Sequence, residues 1–378
     1  MIKVLHCADI HLESPFHSKT AEQSALMRRE LKKSFLSLIN TVKTENIDVV
    51  IMAGDVFDTP FVSAETVAFF NEAVSSVPNV KFIISPGNHD PICDGGVYSG
   101  KFPDNVHIFR SNELSYIDIE GTNLRVYGYA FVGTNTLEAC PFVGVTPEDN
   151  SKINILCGHA EIGDPLSPYC PVSLTDVENS GFSYCGFGHI HLNEGVKMAG
   201  NVPYAYCGCL NGRDFGETGA KGAIIVTFDG GKPTFESKII STYNYEESTL
   251  DVSGITDGSE LRRKISALVS EYSETTFLRI ELVGFVPTTL NIDVNALESE
   301  INGVFFLEIR DLTLPLYGTE QLKNDPTIIG EFFRSLLPML ENGTPDERRV
   351  AAKALRIGIA ALKGEDAAKA LRTAVLAD

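Results

Sequence analysis

Val49-Val50-Ile51-Met52-Ala53-Gly54-Asp55-Val56-Phe57-Asp58 runs from five apolar residues through a glycine to two carboxylates. A short apolar run rich in β-branched residues and closed by Gly reads as a buried strand that ends there. Ligand sites in α/β sheets lie just beyond the carboxyl ends of strands, so Asp55 stands where chemistry is expected. An apolar run leads into a polar string four more times, three of them through a glycine. Val4-Leu5-His6-Cys7-Ala8 leads into Asp9-Ile10-His11, and Phe82-Ile83-Ile84-Ser85 into Gly87-Asn88-His89-Asp90. Ile153-Asn154-Ile155-Leu156-Cys157 leads into Gly158-His159-Ala160-Glu161, and Tyr184-Cys185-Gly186-Phe187 into Gly188-His189-Ile190-His191.

Each string alone has a plainer reading, since Gly-Asn-His-Asp is the composition of a turn and His-x-His arises by chance. Their conjunction is informative: five of the eight histidines fall inside these strings. Together they supply the donors of two adjacent divalent cations, which roughly 3.5–4 Å apart can clamp the attacking and leaving oxygens of a displacement at phosphorus. Such a pair needs a bridging carboxylate, and Asp55 is the candidate. Asp9 and His11, two residues apart at a strand end, can turn toward the first ion. His189 and His191 repeat that spacing, and a change of chain direction between them sends one to each ion. Asn88 and His159 complete the second. Several imidazoles among oxygen ligands favour a transition metal over Mg or Ca.

The set resembles the calcineurin-like metallophosphoesterase superfamily. Asp9-Ile10-His11-Leu12-Glu13-Ser14-Pro15-Phe16 and Gly54-Asp55-Val56-Phe57-Asp58 are similar to its DNA-repair exonuclease branch, which includes the nuclease subunit of the bacterial SbcCD complex. Gly212-Arg213-Asp214-Phe215-Gly216-Glu217-Thr218-Gly219 is similar to the turn that closes the catalytic domain in that branch. The resemblance implies that Asp9, His11, Asp55 and His191 hold one metal and Asp55, Asn88, His159 and His189 the other. It implies that His89 stands beside the metals to protonate the leaving oxygen, oriented by the carboxylate of Asp58. It further implies a four-layer α/β/β/α sandwich, two divalent ions with Mn foremost (Fe, Zn, Ni or Mg as alternatives), a DNA substrate and a coiled-coil ATPase partner. A homodimer is left open.

Other polar residues read more simply. His6 and His107 lie in apolar runs and are expected to be core histidines, whereas His17 is undecided. Arg213 suits a substrate phosphate or a surface carboxylate equally well and stays outside the catalytic set.

At 378 residues, 43% of them hydrophobic, two or three domains are expected, with no membrane-spanning run and no signal peptide. Eight cysteines in so long a chain fit reduced cytoplasmic thiols better than a disulfide framework. The formal charge of −19 opposes direct attraction to DNA, although bound metals and a partner subunit would offset it. That charge leaves small nucleotides or other phosphate esters as the alternative substrates. The chain has no Gly-x-x-x-x-Gly-Lys-Ser/Thr string, so any ATP dependence belongs to another subunit.

Helical spacing of Leu31, Phe35, Leu38, Ile39 and Val42 predicts one helix after the first strand, and a second is expected from Glu65 to Val77. Leu124-Arg125-Val126-Tyr127 and Ala223-Ile224-Ile225-Val226-Thr227-Phe228 suggest a second sheet facing the first. The expected organisation is a metallophosphoesterase domain over 1–245, an α/β capping domain over 255–320 and a helical segment over 325–378. A polar linker is expected from Tyr243 to Gly258. In the last segment Thr344-Pro345-Asp346-Glu347 is a capping box, followed by an apolar stripe of Val350, Ala354, Leu355 and Leu362.

Overall fold

The structure is a computed structural model that describes residues 1–16, 21–230, 232–287, 290–315, 319–362 and 364. His17 and the stretch after 364 lie outside the described residues. The chain divides into two compact units, Met1–Asn244 and Tyr245–Asp378.

The first unit begins with β1 (Ile2–Cys7), α1 (Ala21–Thr44), β2 (Val49–Met52), α2 (Ala64–Ser75), β3 (Lys81–Ile84) and β4 (Val106–Ile108). These four strands are mutually parallel, and β2 is buried at every position, as a strand covered on both faces must be. Ser63 caps α2 by accepting a hydrogen bond from Thr66 N. A second sheet follows, from β5 (Ser115–Asp118), β6 (Leu124–Gly128), β7 (Ile153–His159) and, after a short β8 (Glu161–Ile162) and β9 (Pro171–Val172) pair and α3 (Leu174–Asn179), β10 (Tyr184–Gly188). β11 (Lys197–Ala199) and β12 (Val202–Tyr206) extend it, in the order β11-β12-β10-β7-β6-β5.

β13 (Gly222–Phe228) then returns to the first sheet, antiparallel to β1, with β14 (Thr234–Ile239) outside it. The run Ala223–Phe228 was expected in the second sheet; it closes the first instead. Periodicity identifies a strand but not the edge it pairs with, and β1 offered an unpaired edge.

The two sheets meet face to face. Val4, Val49, Ile51, Ile83, Ile224 and Val226 of one pack with Val126, Ile155, Cys157, Tyr184 and Ala205 of the other. Alternate residues such as Leu5, Val50 and Phe82 are equally buried on the opposite face of the first sheet, which the buried stripes of α1 and α2 cover. Tyr127, Leu156, Cys185 and Phe187 form the outer core of the second sheet, with Val177 of α3. This is the α/β/β/α sandwich. His6 is fully buried between the sheets, its Nδ1 2.8 Å from the Tyr184 hydroxyl, and burial pushes its pKa down to about 3. It is a core histidine, whereas His107 on β4 is half-buried.

The second unit contains β15 (Asn244–Asp251), α4 (Gly258–Val269), β16 (Thr276–Val283), β17 (Phe285–Val286), α5 (Val294–Glu300), β18 (Phe306–Asp311) and β19 (Leu314–Pro315). Three of these strands form a sheet in the order β15-β16-β18. β15 occupies the stretch read as a linker. Its Glu246, Glu247, Ser248 and Thr249 gave no apolar signal because an edge strand is half solvated; Tyr245, stacked on Phe277, is its buried anchor.

Helices α6 (Thr319–Asn324), α7 (Ile328–Asn342) and α8 (Pro345–Leu362) follow. The capping box forms, with Glu347 N donating to Thr344 Oγ1 and Thr344 N to Glu347 Oε2. The buried face of α8 is Ala351, Ala352, Leu355 and Ile359, the last three packed with Phe333 of α7, while Val350 is 57% exposed and Leu362 40%. The expected stripe is therefore rotated: α7 selects positions 352, 355 and 359, and only Leu355 is shared.

Candidate active site

The loops after β1 and β2 are zipped together: Asp9 N donates to Gly54 O, His11 N to Asp55 O and Leu12 N to Val56 O. This pairing is bought with backbone strain. Asp9, His11, Asp55 and His189 all have left-handed φ, at 50°, 51°, 52° and 103°, a region uncommon for residues other than Gly. Such conformations persist where the surroundings over-determine them, and they gather at functional sites. Two glycines allow the approach of the sheets. A Cβ on Gly54 would lie 2.3 Å from His159 Nδ1 at a φ of +91°, and one on Gly188 would lie 2.0 Å from Ala53 O.

The five strings come from both sheets, β1, β2 and β3 of the first and β7 and β10 of the second, and converge at the carboxyl ends of these strands. His159 Nε2 is 2.8 Å from Asn88 Oδ1 and 3.4 Å from Asp55 Oδ2. His11 Nε2 is 3.3 Å from His191 Nε2 and 3.8 Å from Asp55 Oδ2, and His191 Nε2 is 3.5 Å from Asp9 Oδ1. His189 parts from His191 at its left-handed backbone, and its ring stands edge-on to that of His159 with centroids 5.2 Å apart. Among the described residues four groups of three bring their donor atoms close enough to share an ion: Asp9, His11 and His191; Asp9, Asp55 and His159; His11, Asp58 and His89; and His191, Cys209 and Glu217.

The protonation pattern fits cations. His159 Nδ1 donates to Ala53 O at 2.9 Å, so its Nε2 lone pair faces two oxygen acceptors. His191 Nδ1 meets Glu217 Oε1 at 2.5 Å and His11 Nδ1 meets Asp58 Oδ1 at 3.1 Å, which turns both Nε2 lone pairs toward each other. Lone pairs so opposed repel unless positive charge lies among them. Burial, followed by the charges of Asp90 and Asp9, pushes the Asp55 carboxyl well above the usual carboxylate range. Burial holds His11 near 4 and lowers His159 and His189, which keeps them neutral as ligands. Burial would also lower His191, but Asp9 and Glu217 outweigh it and lift the imidazole to about 10, a further sign that the pocket calls for positive charge.

His89 is exposed beside this cluster, its main-chain N donating to Asp55 Oδ1 at 2.9 Å. Its Nδ1 donates to the main-chain carbonyl of Asp58 at 3.1 Å, which leaves Nε2 free for a substrate oxygen. The Asp58 carboxylate was expected to orient His89; it faces His11 Nδ1 and lies 3.6 Å from Arg213. The atom of Asp58 within hydrogen-bond distance of His89 Nδ1 is its main-chain carbonyl.

Three carboxylates beyond the expected set support the site. Glu217 backs His191, and Arg213, which the sequence leaves undecided, pairs with Glu217 at 3.2 Å. Their four-residue spacing within the Gly212–Gly219 stretch was the available signal. Glu161 Oε2 lies 3.4 Å from His189 Nε2 and accepts from Ser167 Oγ, while Tyr169 packs on the His189 ring. Asp90 is wholly buried and accepts hydrogen bonds from Asp55 N, Phe57 N, Gly87 N and the Tyr98 hydroxyl. Its short reach back to Gly87, three residues earlier, marks an Asp-closed turn. Asp90→Ala strands four buried donors and is expected to cost about 3–5 kcal/mol in chemical denaturation. A loss below about 1 kcal/mol would contradict that role.

The calcineurin-like phosphoesterase sequence model matches residues 2–193, which contain all five strings. The chain belongs to that family. This phosphoesterase is 28% identical over 260 residues to the metallophosphoesterase YhaO of Bacillus subtilis, covering 66% of this chain and 62% of that protein. It is 23% identical over 235 residues to the SbcD subunit of the nuclease SbcCD of Staphylococcus epidermidis, covering 53% of this chain and 61% of that protein. The chain thus spans about three fifths of the length of these curated relatives. Among its described residues no helix is long and apolar enough to cross a membrane.

Proposed function

We propose that the chain is a two-metal DNA exonuclease, with endonuclease cleavage as an extension of the same chemistry, acting in repair or recombination beside a coiled-coil ATPase. The observation that carries a phosphodiester reading is the convergence of seven donor side chains with a solvent-facing His89 at their edge. In this assignment Asp9, His11, Asp55 and His191 hold one cation, and Asp55, Asn88, His159 and His189 the other. Bound there, the cations supply Lewis-acid polarisation of phosphoryl oxygens and lower the pKa of water toward about 7. The mixed nitrogen and oxygen donors suit Mn best, ahead of Fe, Zn, Ni or Mg.

The protein's own groups do the rest. Asp58 O holds the Nδ1 proton of His89, so the ring presents Nε2 to the departing ribose oxygen and delivers a proton there. Asp55 anchors His89 through its main-chain N, which couples the acid to the bridging carboxylate. The likeness to the SbcD subunit of SbcCD supports the DNA substrate and the ATPase partner. Within this reading the helices over 325–362 dock the partner, and a homodimer is compatible. Eight free cysteines, seven of them buried, suit the reducing cytoplasm.

The net charge of −19 favours a second reading, hydrolysis of small nucleotide diesters or other phosphate esters, for which negative charge is no handicap. Purified chain with Mn should cleave linear duplex DNA as well as bis(p-nitrophenyl) phosphate, and faster when the ATPase is added. Cleavage of the small diester with DNA intact, partner present, would establish the second reading.

A further inference from the structure

The groups behind the metal-facing nitrogens are of two kinds. His159 is backed by a neutral carbonyl, Ala53 O, at 2.9 Å. His11 and His191 are backed by carboxylates, Asp58 at 3.1 Å and Glu217 at 2.5 Å. Arg213 lies between those carboxylates, Nη1 3.6 Å from Asp58 Oδ1 and Nη2 3.2 Å from Glu217 Oε1. The second oxygen of Glu217 accepts from Arg213 N at 2.8 Å and from the Cys209 thiol at 3.8 Å. The whole group is largely buried, so its members hold one arrangement.

We propose that Glu217 is a positioning residue for one cation site: it holds His191 with Nε2 turned toward Asp9 and His11, and through Arg213 and Asp58 it joins both rings in one charged frame. The inference rests on the two-metal reading above and extends it, because it makes the two sites unequal. A carboxylate accepting the Nδ1 proton fixes the tautomer and makes Nε2 a better donor, and loss of such a partner typically weakens metal binding about 10–100-fold. The site of Asp9, His11 and His191 has one such partner, Glu217 on His191, with the Asp58 carboxylate a further charge 3.1 Å from His11 Nδ1. The site of Asn88, His159 and His189 has a carbonyl behind His159, which orients the ring without adding charge, and only the longer approach of Glu161, 3.4 Å from His189 Nε2. The first site therefore binds its cation more tightly, and Glu217 controls that difference. Arg213 holds Glu217 in place through Nη2 and its main-chain N, on the side away from His191 Nε2.

Calorimetric titration of the metal-stripped full chain with Mn tests this independently of any nuclease assay. Wild type should show two classes of site. Glu217→Gln keeps an acceptor for Nδ1 but loses the charge, and should weaken the tighter class about tenfold. Glu217→Ala loses both and should weaken it about a hundredfold, with the weaker class unchanged within about twofold. At saturating Mn both variants should recover most of their turnover. Unchanged affinities with a lowered melting temperature would show a structural role and overturn the proposal, as would equal weakening of both classes. If Glu217→Ala fails to fold, Glu217→Gln carries the test alone. Wild type taking up fewer than two equivalents would overturn the two-metal reading along with it, which separates that failure from the others.

Discussion

Asp55→Ala is expected to leave no measurable hydrolysis, a loss of about four powers of ten or more, equivalent to about 5.5 kcal/mol of transition-state stabilisation. Asp55 touches nearly every part of the site. Its Oδ2 lies 3.4 Å from His159 and 3.8 Å from His11, its Oδ1 receives His89 N, and its own main chain is tied to His11 N and Asp90. Removing the carboxylate deletes the one ligand assigned to both cations, and metal analysis should fall from two equivalents to one or fewer. Two equivalents retained in a folded variant would refute the bridging role. Stability should move the other way. Burial and the neighbouring Asp90 and Asp9 push the Asp55 carboxyl far above its ordinary range, so without metal its charge opposes folding at neutral pH. Asp55→Asn keeps the acceptor for His89 N and should raise the melting temperature of the metal-free protein while abolishing the rise that Mn gives wild type.

His89→Ala is expected to keep both metals and lose two to four powers of ten in turnover, the usual range for a general acid. His89 is not among the seven assigned ligands, although its ring donor lies close to those of His11 and Asp58; two equivalents of metal retained in the variant, by metal analysis, separate an acid from a ligand. Its one side-chain hydrogen bond runs to Asp58 O, outside the cation cluster. The defect should shrink for a diester with a nitrophenolate leaving group, which departs without a proton, and be largest for DNA, whose alkoxide needs one. Equal losses on both substrates would remove the proton-donor role and leave only charge stabilisation. Asp58→Ala should affect chiefly His11, because His89 uses the carbonyl, which this substitution retains.

Most of the strands and all seven candidate ligands were legible in the chain because buried parallel strands write themselves as apolar runs closed by glycine. Asp55, Asn88, His159 and His191 each follow such a run, and Asp9 follows an apolar run that ends at Ala8 without a glycine. Glu217 was not legible as a partner of His191, since nothing local in Gly212–Gly219 points to a histidine 26 residues earlier. Asp90 was visible but without a role, because its donors at Asp55 and Phe57 lie more than 30 residues away. β15 was missed for the opposite reason: an edge strand needs few apolar residues, and Glu246 to Thr249 supplied none.

The sequence by itself determined the alternation of strands and helices, the glycine-ended apolar runs and the donor set at their ends, because burial and turn chemistry act on neighbouring residues. Tertiary structure alone decided that β13 joins the first sheet, that Asp58 turns its carboxylate to His11, and that Arg213 and Glu217 stand behind His191. Those outcomes depend on which edges and which buried polar atoms are left without partners once the two sheets have packed, and that is a property of the assembled core rather than of any segment.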